Sequence, residues 1–189
     1  TKIETYDAVL EFAAELGAKH VLTTLDDSDE SRRRDNLAAL CEAAAARGLT
    51  VDIEFVPWQS VPSLAAAAEE VRHCGHPAAG IALDALHFYR SGSELADLEG
   101  LPREWFRYLQ LCDAPRRATP PSREELIHEA VKERLLPGEG DIDLVGLLGA
   151  FAPLPLAMEI PQESLARRLD AAGRVGAAVA ALRGLLARL

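Results

Sequence analysis

This 189-residue chain predicts an α/β fold on a parallel sheet, and more narrowly part of a (β/α)8 barrel. Three observations point there. Short apolar runs alternate with helical stretches along the chain, the pattern of strands joined by crossover helices. No Gly-x-Gly-x-x-Gly follows any of these runs, so the open dinucleotide-binding sheet lacks its usual mark. Four successive runs carry a carboxylate or an amide within or at their ends. A barrel places its functional groups there, at the C-terminal ends of several strands.

Taken in order, residues 5–16 have apolar side chains at Tyr6, Val9, Leu10, Phe12, Ala13 and Leu16, a helical stripe that Gly17 closes. A short strand is expected at 20–25, a helix at 32–47 ended by Gly48, and a strand at 49–57. An Ala-rich helix follows at 62–74 with Gly75 as its stop, then a strand at 79–86. Irregular chain leads to a strand at 108–112 and a basic, Pro-rich loop at 115–121. Ser122 is placed to cap a helix that runs to about residue 133. A glycine-bearing loop at 134–141, a helix at 142–151 and a last strand at 154–160 come next. Residues 162–189 read as one long amphipathic helix, broken near Gly173 and Gly176.

A complete barrel takes about 250 residues and opens on a strand, whereas this chain offers five strands and opens on a helix. The expectation is a single partial domain over 1–189 that supplies the C-terminal five βα units, with about three N-terminal units missing. Such a piece has two unpaired sheet edges, so it is expected to form homo-oligomers or to misfold unless another segment covers them.

The net charge of −10 argues against nucleic acid or an anionic membrane as the main partner, since both select basic surfaces. A local basic cluster is still compatible with a small anionic metabolite. No apolar run approaches the roughly 20 residues of a membrane span, and no signal peptide opens the chain. Cys41, Cys74 and Cys112 are scattered and odd in number, which fits a reducing cytoplasm better than a disulfide scaffold, and their spacing is wrong for zinc.

The chemistry lies at the strand ends. A carboxylate inside an apolar layer is costly unless it is partnered, yet Glu54, Asp84 and Glu159 each sit in or just after such a run, and Gln110 sits in a fourth. For any one of them an ordinary loop position is the plainer reading. Four in successive units point to a shared hard divalent cation, Mg2+ or Mn2+, because carboxylate and amide oxygens suit such ions while zinc recruits His and Cys. His87 follows Asp84 by one helical turn and is either a proton shuttle beside the metal or a packing residue. Asp113 either orients a ligand or forms a salt bridge. The loop Arg134-Leu-Leu-Pro-Gly-Glu-Gly140 can turn backbone amides toward an anion, with Arg134 adding a grip, or is simply a tight loop. Arg90 and the Arg116–Arg117 pair can add positive charge over a substrate, and Trp58 can wall its pocket or pack in the core.

In their order along the chain, Ile53-Glu54-Phe55, Leu83-Asp84-x-x-His87, Leu109-Gln110-Leu111-x-Asp113, the Arg134–Gly140 loop and Met158-Glu159-Ile160-Pro161 resemble the xylose isomerase-like TIM barrel superfamily. Within it the chain is similar to the sugar phosphate isomerase/epimerase group. The resemblance implies a divalent ion held by Glu54, Asp84, Gln110 and Glu159, with Glu54 and Glu159 as the acid/base pair. Many members have His where this chain has Gln110, and Gln there is similar to some bacterial 3-dehydroshikimate dehydratases, which use Mg2+. The expected function is a metal-dependent isomerase or epimerase acting on a sugar or sugar phosphate. It would remove a proton next to a carbonyl while the metal stabilises the developing enediolate. Two alternatives stand beside it: a lyase of the 3-dehydroshikimate dehydratase type, and a catalytically silent partial barrel that binds a metabolite or partner chain. In the enzyme readings the substrate is a small carbohydrate or polyhydroxy acid.

Overall fold

In the computed structural model, which describes residues 3–151 and 153–189, five strands alternate with helices as the periodicity requires. Helix α1 spans Asp7–Glu15, strand β1 His20–Thr23, α2 Glu30–Ala45, β2 Thr50–Glu54, α3 Leu64–Cys74 and β3 Ala79–Asp84. Then follow α4 at Ala85–Arg90, β4 at Phe106–Leu111, α5 at Arg123–Lys132, α6 at Leu144–Phe151 and β5 at Leu156–Met158. The chain closes with α7 at Glu163–Ala166 and α8 at Ala171–Leu186. Strands β1, β2 and β3 pair in sequential order, as do β4 and β5, all of them parallel. Sequential order and parallel pairing are what right-handed βα repeats produce.

The chain divides into two compact units, residues 1–83 with 99–107, and residues 84–98 with 108–189. In the first, β2 runs parallel to β1 with Val51 beside Val21, and parallel to β3 with Glu54 beside Ala82. Its core joins Val51 and Ile53 of the strands to Leu37, Cys41 and Ala44 of α2 and to Leu64, Ala67, Ala68 and Val71 of α3, all buried. Each fully buried Leu or Ile contributes roughly 1.5–3 kcal/mol. Among the charged pairs within this unit, Asp52 on β2, fully buried, bonds the Arg107 guanidinium. In the second unit β5 runs parallel to β4 with Gln110 beside Ala157. There Leu109, Leu111, Leu144, Leu147, Leu148, Phe151 and Leu185 make the apolar core.

Local chemistry explains the element ends. Ser122 and Glu125 form a complete capping box at the start of α5, as the serine's position predicts. Ser63 caps α3, which ends on Gly75 in the left-handed region. Three expectations change. The apolar stripe of α1 buries only Leu10; Val9, Phe12 and Leu16 are 62%, 60% and 70% exposed. The chain beyond Asp84 turns at once into α4, with the Asp84 side chain capping it. The break in the closing helix falls at residues 167–170, because Asp170 caps a fresh helix through the Gly173 amide. Gly173 and Gly176 both lie inside α8.

Candidate active site

Within the second unit, one buried arginine gathers the predicted residues. Asp84, at the end of β3, is fully buried and both of its oxygens are engaged. Its Oδ1 accepts the His87 backbone N–H at 3.0 Å, the cap that starts α4. Its Oδ2 accepts from Arg134 Nη1 at 2.6 Å. Arg134 also donates through Nε to the Ala130 carbonyl at 2.8 Å and through Nη1 to the Glu159 carbonyl at 3.4 Å, and its Nη2 stands 3.7 Å from Glu159 Oε1. Its guanidinium, only 3% exposed, thus neutralises charge between two of the candidate ligands, where the sequence suggested a contact for an outside anion.

Gln110 on β4 donates from Nε2 to Glu159 Oε2 at 2.6 Å. The orientation of that amide follows from charge: a carboxylate only accepts, so the NH2 must face it and the carbonyl must point away. Gln110 Oε1 is then a buried acceptor with no hydrogen-bond partner among the described residues. Glu159 follows β5 directly, and its 42% exposed side chain reaches solvent. Glu54 closes β2 in the first unit.

His87 is buried, and burial pushes its imidazole below the ordinary histidine range; Asp84 opposes that shift and Arg134 adds to it. The neutral ring is therefore the form at pH 7. Linkage fixes the sign of the consequence. As pH falls below the unfolded-state value near 6.5, the unfolded chain takes up a proton that the folded chain resists, so stability falls. Urea unfolding in metal-free buffer should show stability dropping between pH 7.5 and 5.5, by at most about 1.4 kcal/mol per pH unit from this group. In His87→Gln that part of the slope should vanish.

Other predicted residues stand elsewhere. Arg90 does not face an open site: it forks onto buried Glu129 at 2.6 and 2.8 Å and donates to the Pro115 carbonyl at 2.8 Å. Trp58 lies half-buried on the turn after β2. The glycine-rich loop does present amides to an anion, but the anion is internal. Asp113 Oδ2 accepts from Gly138 and Gly140 N–H, each at 2.9 Å, and its Oδ1 accepts from Ala114 and Ile142 N–H at 2.9 and 3.1 Å. Gly138 holds φ at +91°, and a Cβ on Gly140 would press into the Ala114 carbonyl. The sequence analysis missed Glu129. Its signal, an acid on the inner stripe of an otherwise amphipathic helix, was present but its partner lies 39 residues away.

The chain belongs to the xylose isomerase-like TIM barrel family, whose model matches residues 1–184. The five βα units are accordingly part of a (β/α)8 barrel. The chain is 28% identical over 137 residues to a 3-dehydroshikimate dehydratase of Pseudomonas putida, a match that covers 70% of this chain and 21% of that enzyme. It therefore spans about a fifth of the length of that relative. Among solved structures it resembles an IolI protein with a bound zinc atom, with a TM-score of 0.83 and 21% identity over 98% of this chain and 69% of that one. A xylose isomerase domain protein from Alicyclobacillus acidocaldarius gives a TM-score of 0.72 and 27% identity, covering 98% of this chain and 70% of that one.

Proposed function

We propose that this chain carries the metal-binding part of an active site that removes a proton next to a carbonyl of a polyhydroxylated substrate, with loss of water as the outcome. The observation that carries the reading lies within the second unit: Asp84 and Glu159 share the buried Arg134, at 2.6 and 3.7 Å, and Gln110 bonds Glu159 at 2.6 Å. Together with the partnerless Gln110 carbonyl, these two carboxylates offer only oxygen donors, which fits a hard divalent ion such as Mg2+ or Mn2+. A cation held by these residues would supply Lewis-acid polarisation of the substrate carbonyl.

The chain's own groups do the rest. Glu159, partly open to solvent, is the base that takes the proton, and Gln110 holds its carboxylate in place. Glu54 is its acid counterpart. His87, neutral and buried, keeps α4 packed so that its backbone N–H fixes Asp84. Arg134 offsets part of the negative charge between Asp84 and Glu159. The dehydratase outcome is favoured by the 3-dehydroshikimate dehydratase relative and by Gln110 in place of His. An isomerase or epimerase acting on a sugar shares the first step and differs only in where the proton returns.

Metal titration tests this directly. Mn2+ should bind the wild-type chain and raise its melting temperature, and Glu159→Gln should weaken binding by at least about tenfold. Incubation with 3-dehydroshikimate or with a ketose then separates the two outcomes by product. Identical melting with and without Mn2+ would defeat the proposal.

A further inference from the structure

We propose that Cys41 and Cys74 form a redox site: a dithiol that closes to a reversible disulfide when it meets a low-molecular-weight disulfide oxidant. Their Sγ atoms lie 3.9 Å apart, Cys41 on α2 and Cys74 as the last residue of α3. Neither is bonded to another cysteine. A disulfide needs the sulfurs at about 2.05 Å, so the two must close by roughly 2 Å, within the reach of side-chain rotation at a helix end. The two sulfurs differ in access. Cys41 is fully buried, with its thiol pushed up by burial and by its neighbour Cys74, whereas Cys74 is partly exposed. Gly75 follows Cys74 in the left-handed conformation and ends the helix there, its N–H making the closing bond to the Val71 carbonyl.

That asymmetry orders the chemistry. Cys74 Sγ, as thiolate, attacks one sulfur of the oxidant, whose S–S bond breaks and whose other half leaves as a thiolate. Cys41 Sγ then attacks the Cys74 sulfur of this mixed disulfide. Its proton goes to the second departing thiolate. Two protein thiols are oxidised and one small disulfide is reduced to two small thiols, so electrons and protons balance. The result ties α2 to α3 and closes a loop between residues 33 positions apart. Cys112 is an internal control: it is fully buried beside the Arg134 guanidinium, its thiol raised by burial, and it offers no approach to an oxidant.

Oxidised glutathione is the probe. The native chain treated with it should lose the mass of two hydrogens, and peptide mapping should join Cys41 to Cys74. Its melting temperature should rise by roughly 10 °C and return on reduction, the effect expected of a loop of this length in a domain of this size. Cys74→Ser, placed at a part-exposed helix end, should fold and show neither change. A glutathione adduct that persists on Cys74, a link that involves Cys112, or no loss of mass in the native chain would each overturn the proposal.

Discussion

Replacing Arg134 with Met is expected to destabilise the protein by about 3–5 kcal/mol, measured as a fall in the urea midpoint. The methionine can fill much of the space, so the loss is electrostatic. Asp84 is fully buried, and without Arg134 its Oδ2 faces no cation while Glu159 loses its nearest positive charge. Arg134→Lys should recover only part of this, since one ammonium cannot reach the Ala130 carbonyl and Asp84 together as the planar fork does. Arg134→Met combined with Asp84→Asn should be less damaged than the sum of the single changes, because removing both charges leaves no orphan. Under the proposed function, Mn2+ should restore more stability to the Arg134→Met chain than it adds to the wild type, by taking over the missing positive charge.

Asp113→Ala should cost a similar amount, about 3–5 kcal/mol, through a different route. Its buried carboxylate accepts four backbone N–H groups, from Ala114, Gly138, Gly140 and Ile142. An unsatisfied buried donor costs about 1–3 kcal/mol, and water will rescue some of the four. Asn should be a poor substitute despite its shape, since its NH2 would face two donors with no acceptor to offer. Thermal melts give the loss. Hydrogen exchange should then localise it, with the Gly138, Gly140 and Ile142 amides exchanging much faster while those of β4 change least.

The sequence made some of this legible and hid the rest for physical reasons. Alternating periodicity located all five strands and most of the helices between them, α4 excepted, because burial of one face is a local signal. It could not say what covers a face: α1 has a full apolar stripe, yet Val9, Phe12 and Leu16 stand in water. The carboxylates at strand ends were visible as anomalies in apolar runs. Their counter-charges were not, since Arg134 meets Asp84 across 50 residues and Arg90 meets Glu129 across 39. The glycine loop read equally as a tight turn or as amides facing an anion, and pattern alone could not reveal that Asp113 is the anion it holds. The helix break was misplaced because glycine weakens a helix without ending it, whereas Asp170 actively starts a new one.

The Asp113 clamp has one more consequence. Asp113 also exchanges backbone bonds with Leu135 at 2.9 Å in both directions, so the chain leaves and returns at a single knot. Between those points Ala118, Thr119 and Pro120 are exposed at the far end of the excursion. Insertions or deletions there would change the reach of the excursion while Arg134 kept its station. Length in that segment is a free variable for evolution, or for grafting a new recognition element beside an unchanged charge cluster.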